Sequence, residues 1–276
     1  MQYSVLNSKT CVAGVADVGA SDRYTVASVQ RAVRLLGAFM EPPHQFGVSE
    51  LSRRLGQTKN QTFRLLQTLV EEGVVVMDAT TKKYSLGYRM FELGSAAQRS
   101  SPLVVAAAPV LDRLAGATGE TINLGALADD VSAICLDKRE SGRMLQITAR
   151  VGRRFPLHAG AISKLLLANV TEERLDRFFA LASPLPRFTP RTLVDPDELR
   201  AELAEIRRQG YAVSDEDLDL GACSVAAPIC GRDGRVVAGL SIASPSTRFG
   251  PTELERARVA VMAAGAEISA RLRGGG

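Results

Sequence analysis

The chain has little of what metal sites, disulfide scaffolds and membrane anchors are built from. Its 276 residues include four cysteines and two histidines. Cys11, Cys135, Cys223 and Cys230 are scattered, and no pair has the two-residue spacing of a zinc knuckle, so neither a disulfide framework nor a metal site is expected. Four free thiols suit a reducing compartment. With His44 and His158 the only histidines, no sequence motif supplies an activating base for a cysteine nucleophile, so an enzyme is not expected and no cofactor is called for. No apolar run approaches the roughly 18 residues that span a bilayer. Residues 1–22 lack the basic-then-apolar layout of a secretory signal and mix Ser, Gly, Ala and Val without period. They read as a disordered leader, residues 274–276 as a flexible end, and the whole as a cytoplasmic chain that avoids membranes. There is no internal repeat.

An excess of one charge is also nearly missing. Lysine and arginine total 34 against 30 acidic residues, a net +4 too mild to imply nucleic acid by itself. Its placement says more. Residues 1–101 hold 12 basic and 8 acidic side chains and residues 102–276 hold 22 of each, so the whole surplus lies in the amino-terminal part. A basic module is joined to a neutral one, and the 46% hydrophobic content suffices for two cores, of about 65–80 and about 170 residues.

What is present begins at residues 48–86. Ser49 is placed to cap a short helix with Leu51 and Leu55 on one face, and Gly56 offers a left-handed exit. Thr58 with Gln61 forms a capping box for a second helix, in which Phe63, Leu66, Leu69 and Val70 repeat at helical spacing and are expected to point inward. The opposite face carries Lys59, Asn60, Gln61, Arg64, Gln67 and Thr68, types that hydrogen-bond base edges and phosphates. Upstream, Ser28 precedes Val29, Ala32, Val33, Leu36 and Phe39, an amphipathic helix to cover the other two. After Gly73 the period changes to alternation, with Val74 and Val76 on one strand and Tyr84 and Leu86 on the next. The connecting tip holds Lys82 and Lys83, suited to phosphate or minor-groove contact but also compatible with a plain solvated turn. Helix, turn, helix and hairpin in this order read as a winged helix-turn-helix, residues 23–88, expected to bind double-stranded operator DNA through Thr58, Lys59, Asn60, Gln61, Arg64, Lys82 and Lys83.

A linker helix is expected over residues 89–102, with Met90, Phe91, Leu93, Ala96 and Ala97 on one stripe. That stripe suits either a twin from a second subunit or burial against its own domain. Residues 103–276 then alternate: a helix at 104–117 containing Pro109, strands at 121–127, 131–136 and 145–149, helices at 161–167 and 172–180, and a third at 197–209 introduced by Asp195, Pro196 and Glu198. Strands at 224–229 and 236–243 flank the turn at 231–234, and Thr252 with Glu255 is read as the cap of a last helix reaching Leu272. An antiparallel sheet with helices on its faces, an α+β sensor layout, follows.

Thr25-Val-Ala-Ser-Val-Gln-Arg-Ala, Leu65-Leu-Gln-Thr-Leu-Val-Glu-Glu-Gly73, Tyr84-Ser-Leu-Gly87, Val151-Gly-Arg-Arg-Phe-Pro-Leu-His-Ala159, Gly210-Tyr211 and Ala226-Ala-Pro228, in this order through both modules, resemble the IclR family of bacterial transcription regulators. The resemblance runs from about Thr25 to Leu272. It implies a GAF-like effector-binding domain, a homodimer or dimer of dimers, and control by a small organic acid or aromatic effector. By position it points to an effector cup at Gly160 and Ala161, whose amides would hold a carboxylate, with Asp215, Leu220, Ser224 and Ser241. Where relatives that take small keto acids have a strand Cys and a second Ser, this chain has Ser224 and Ala243, with Cys223 one position away. Strand alternation keeps Cys223 and Ser224 from both facing the cup. The loss of a polar group there leads us to expect a larger or less polar ligand.

Other readings of these residues stay open at this point. Asp215 lies in an acidic run of the kind that is usually solvated. Ser224 and Ser241 are of a type commonly satisfied by neighbours in a sheet. Arg143, Arg150, Arg153 and Arg154 suit either an acidic effector or surface pairs. His158 is expected to hold its loop by a ring hydrogen bond. The alternatives for the whole chain are a thiol-based redox regulator using Cys223 or Cys230, a cysteine-dependent enzyme on the same cup, and a protein-interaction module that has lost DNA binding.

Overall fold

The computed structural model describes residues 25–147 and 149–274. The leader expected at residues 1–22 lies outside them. The chain divides into two units, Met1–Arg99 and Ser100–Gly276.

In the first unit, α1 (Ala27–Ala38), α2 (Val48–Leu55) and α3 (Lys59–Glu71) enclose a core with the hairpin β1 (Val75–Met77) and β2 (Tyr84–Leu86). Leu35, Phe39, Phe46, Leu51, Leu66, Val75 and Tyr84 fill it, and Phe39 meets Phe46 with ring centroids 5.8 Å apart. The exit at Gly56 is left-handed, φ 62°, as expected. Thr58 and Gln61 close their capping box, with Gln61 N donating to Thr58 Oγ1 and Thr58 N donating to Gln61 Oε1, both at 3.2 Å.

Four local expectations are corrected. Ser49 lies inside α2, whose N-cap is Gly47; Glu50 reaches back to accept from Gly47 N at 2.8 Å. Ser28 likewise lies inside α1, capped by Val26, and Val29 and Val33 are exposed because the bulkier Leu35 and Phe39, four apart, take the core face. Phe63 is exposed too. Thr62 occupies the buried position instead, its hydroxyl donating to Thr58 O at 3.1 Å, which lets a polar side chain enter the core without loss. In the wing, Val74 N is used to close α3 on Leu69 O at 2.9 Å, so β1 starts one residue later. A one-residue slip exchanges strand faces, and Val75 rather than Val74 and Val76 points inward. Leu86 is exposed as well.

Helix α4 (Tyr88–Ser100) follows. It buries no side chain in this chain, so the reading in which its stripe packs on its own domain is not met.

The second unit runs α5 (Pro102–Thr118), β3 (Thr121–Leu127), β4 (Ser132–Arg139), β5 (Arg154–Pro156), α6 (Ala161–Ala168), α7 (Glu172–Ala182), α8 (Pro196–Gln209), β6 (Ala212–Asp215), β7 (Ala222–Cys230), β8 (Val236–Pro245) and α9 (Pro251–Gly274). The six strands form one antiparallel sheet in the order β5-β4-β3-β8-β7-β6. Helix α5 continues through Pro109, and α8 begins as expected, with Asp195 accepting from the amides of Asp197 and Glu198. Helix α9 starts at Pro251, so Thr252 is in its first turn and not its cap; the fixed φ of proline suits that first position.

Among the described residues of the strand expected at 145–149, namely 145–147 and 149, none is in a strand. The carbonyls of Leu145 and Ala149 accept from Arg248 Nη1 and Lys138 Nζ at 3.0 and 2.7 Å in place of a strand neighbour, and the edge beside β4 is taken by the short β5. Strand β6 has no counterpart among the strands expected from sequence.

The two faces of the sheet differ in side-chain size. Ile122, Leu124, Val225, Ile229, Leu240 and Ile242 face α5 and α9 and make one closed core. Register places Thr121, Asn123 and Gly125 of β3, Gly239, Ser241 and Ala243 of β8, Ala222, Ser224 and Ala226 of β7, and Ala212 and Ser214 of β6 on the other face. Small residues there let α6 come close, with Ile162 Cγ2 where a Cβ on Gly125 or Gly239 would be 3.0 or 3.1 Å away. Beyond Ile162 they leave space.

Candidate effector cavity and DNA-facing surface

That space is a cavity of about 100 Å³ between the small-residue face and the first turn of α6. Gly160, Ala161, Ser224 and Ser241 border it, four of the six residues that the resemblance pointed to. Asp215 and Leu220 do not. Asp215 is paired with Arg191 and accepts from Cys223 Sγ at 3.1 Å, and Leu220 is 70% exposed. Leu218 and Asp219 of the same segment line the wall instead.

The cavity holds polar groups that the sequence reading omitted. Asn123 stands opposite Ser241 in register, and its Oδ1 is buried without a hydrogen-bond partner. Ser214 stands opposite Ser224. Arg153, one of the four arginines considered, is the one that lines the wall; its guanidinium lies 5.1 Å from the Phe155 ring. Burial, with the charge of Arg150 added, holds the Arg153 pKa below the usual guanidinium value. Arg143 is near Glu120 and Arg154 is paired with Asp129, both away from the cavity wall. Burial also raises the Asp219 carboxyl above its ordinary value. The lining is mostly apolar, and set into it are the Arg153 guanidinium, the Asp219 carboxyl, the Asn123 amide and the Ser214, Ser224 and Ser241 hydroxyls.

The rim is built around Asp217, which is 6% exposed. Its carboxylate pairs with Lys164 Nζ at 2.5 Å, accepts from Gly160 N at 3.1 Å and accepts from the Ser214 hydroxyl. Burial works against the Lys164 ammonium, but Asp217 and Glu202, the latter at 2.6 Å, outweigh it and raise its pKa. The Gly160 amide is thus already engaged, a correction to the idea that it waits for a ligand carboxylate. Gly160 itself has φ +90°, and a Cβ there would stand 3.3 Å from Leu218 Cδ2, so any side chain would be strained and would press on the cavity wall. His158 holds its loop as expected, its Nε2 bonded to Pro186 O at 2.9 Å, with burial lowering its pKa.

Cys223 and Ser224 both border the cavity, yet alternation sends their side chains apart: Ser224 shares a face with Ser214 and Ala243, and Cys223 Sγ turns to Asp215. Burial and the neighbouring Asp215 push the Cys223 thiol up to about 12. Burial pushes Cys135 up to about 11. Such thiols carry almost no thiolate at neutral pH.

In the first unit, Thr58, Lys59, Asn60, Gln61 and Arg64 are all exposed along the start of α3, and Lys82 and Lys83 are exposed at the wing tip. Gln61 is committed to its capping box. Gln67 is turned partly inward, 3.5 Å from the Tyr84 hydroxyl. Asp78 organises the tip by accepting from the amides of Thr80 and Thr81 at 2.8 and 2.7 Å, and Lys82 sits at φ 56°. The phenyl ring of Phe63, 46% exposed, joins this polar surface unannounced by any helical-period signal.

Comparison with known proteins agrees with both halves. Residues 28–79 match the IclR helix-turn-helix domain and residues 95–270 match the bacterial transcriptional regulator IclR C-terminal domain. The chain is 34% identical over 248 residues to the HTH-type transcriptional regulator KdgR of Escherichia coli, covering 90% of this chain and 93% of that protein. Among solved structures, an IclR transcriptional regulator from Alicyclobacillus acidocaldarius superposes with a TM-score of 0.80 at 30% identity, over 90% of this chain and all of that one. An IclR homologue from Microbacterium hydrocarbonoxydans, complexed with 4-hydroxybenzoate, gives 0.75 at 27% identity over 90% and 99%. With a winged helix-turn-helix in one unit, a polar cavity in the other and relatives that match through both, the chain belongs to the IclR family of transcriptional regulators.

Proposed function

We propose that this regulator answers to a small organic acid held in the cavity beneath α6, and that α3 and the wing carry the operator contacts. The observation that carries the first part is the cavity itself, bordered by Gly160, Ala161, Ser224 and Ser241 at the positions to which the family resemblance pointed. The first turn of α6 adds the positive end of a helix dipole on the same side. A neighbour of known structure holds 4-hydroxybenzoate, itself an acid.

For DNA, Lys59, Asn60 and Arg64 present base- and phosphate-reading groups on one exposed face, and Lys82 and Lys83 supply backbone contacts at the wing. Thr58 and Gln61 act mainly by fixing the helix start. The role we read is binding: the family is one of transcriptional regulators, and burial keeps the Cys223 and Cys135 thiols protonated at neutral pH. No helix among the described residues is long and apolar enough to cross a membrane. We place the protein in the cytoplasm on the basis of its operator-binding role.

The test is thermal shift of the full chain against a panel of small carboxylates and aromatic acids. A ligand at a hundredfold excess over its Kd stabilises the folded form by about 2.7 kcal/mol. Ser241→Leu fills the cavity floor, and its expected effect is to abolish the shift while operator binding persists. A full shift in that variant refutes the cavity assignment, and no shift with any acid in the wild-type chain refutes the acid effector.

A further inference from the structure

Helix α3 makes an exchange that its sequence argues against. Thr62 is fully buried and Phe63 is 46% exposed, so the hydroxyl faces the core and the phenyl ring faces water. Two local features set this rotation: the Thr58–Gln61 capping box fixes where the helix starts, and the Thr62 hydroxyl donates to Thr58 O at 3.1 Å. That bond lets Thr62 tolerate burial. The ring gains nothing from it and stays in water unless a partner covers it. Phe63 follows Lys59 by four residues and Asn60 by three, and precedes Arg64 by one, in the first two turns of α3 and among these exposed polar side chains. Residues three or four apart on a helix have Cβ atoms about 5–6 Å apart, and base pairs are spaced about 3.4 Å, so Phe63 reaches within about two base pairs of whatever Asn60 meets.

Resting on the reading that α3 carries the operator contacts, we infer that Phe63 is a specificity-determining residue that reads the 5-methyl group of a thymine in the major groove. A phenyl ring has no donor or acceptor, so against a phosphate it would displace water and return no hydrogen bond. Among base edges in the major groove, the apolar group on offer is the thymine methyl. Apolar wedges that unstack bases enter from the minor groove, whereas a recognition helix lies in the major one. Asn60 and Arg64 select by hydrogen bonds, and Phe63 between them selects by apolar contact.

The test removes one methyl at a time. An operator is selected by the full chain from randomised duplexes, and each of its thymines is replaced singly by deoxyuridine, which loses the methyl and keeps the hydrogen-bonding groups. Fluorescence anisotropy at fixed salt gives the affinity of each duplex. At one thymine in each half-site the wild-type chain is expected to bind the deoxyuridine duplex about fourfold more weakly, the worth of one buried methyl group. Phe63→Ala should bind the parent operator more weakly and bring the two duplexes to within about 1.5-fold at that position, while Phe63→Leu should keep part of the difference. Circular dichroism and melting temperature report whether each variant folds. If Phe63→Ala does not, Phe63→Gln takes its place, and the wild-type scan stands by itself. A scan with no sensitive thymine, or a sensitivity that survives loss of the ring, overturns this assignment; Arg64→Ala still weakening the operator then leaves α3 as the reading helix. If no operator can be selected, or neither Phe63→Ala nor Arg64→Ala weakens it, the reading of α3 falls as well.

Discussion

At Asp217 a single carboxylate meets donors from three places: the Lys164 ammonium, the Gly160 amide and the Ser214 hydroxyl. Asp217→Asn would leave Lys164 buried with Glu202 as its remaining partner. Breaking a buried pair from one side costs about 3 kcal/mol, so chemical denaturation should show a loss near that size; a loss under about 1 kcal/mol would mean that Glu202 alone satisfies the ammonium. The DNA-facing residues separate by what they read. Arg64→Ala should weaken operator binding by about 1–3 kcal/mol and relax specificity. Replacing Lys82 and Lys83 together should weaken all sequences alike and lower the slope of log K against log salt by about 0.9 for each phosphate no longer neutralised. Fluorescence anisotropy on operator and scrambled duplexes across a salt series distinguishes the two, and equal loss on both duplexes for Arg64→Ala would remove it from base reading. Legibility at this scale followed chemistry. The Thr58–Gln61 box and the Gly56 exit could be read directly because each is a local bargain between neighbours in sequence. Asn123 could not, because its isolation is created by strands that arrive from elsewhere in the chain.

Elements were legible where their period is long and misread where parity decides. All nine helices described follow from spacing, yet β1 turns the opposite face inward from the one expected, since closing α3 on Val74 N moves the strand by one residue. Strands β5 and β6, three and four residues long, are too short to show alternation, and the sequence at 145–149 resembles a strand while the Leu145 and Ala149 carbonyls serve Arg248 and Lys138. Contact between α9 and β7 depends on a missing side chain at Gly265, where a Cβ would sit 2.7 Å from Pro228 O and 3.3 Å from Ala227 Cβ. Backbone oxygen cannot step aside as a flexible side chain can. Gly265→Ala should therefore destabilise the second unit by about 1–3 kcal/mol despite alanine's better helix propensity. An unchanged or higher melting temperature would show that α9 slides to make room.

For the whole molecule, the apolar surface of the first unit points to a second copy. Val29 and Val33 on α1 and Tyr88, Phe91 and Leu93 on α4 are all more than half exposed. We propose a homodimer through these helices, which sets two copies of α3 on half-sites about one DNA turn apart. Phe91→Asp should shift the chain toward monomer in light scattering and weaken operator binding together; a dimer of undiminished stability would place the interface elsewhere. An effector alters operator affinity only through a difference in its own affinity for two states of that assembly.

The unequal faces of the six-stranded sheet carry a consequence for how such a sensor diversifies. Branched side chains against α5 and α9 lock the scaffold, so a change there is felt as lost stability. Alanine, serine and glycine on the other face pack in part against α6 and in part border the cavity. A methyl or hydroxyl gained or lost at the cavity-lining Ala222, Ser224, Ser241 or Ala243 resizes or rewires the chamber while leaving the packing against α5 and α9 and the operator-reading unit as they were. One inherited frame can in this way acquire new chemical vocabularies by single steps, each invisible to folding and to DNA until the matching metabolite arrives.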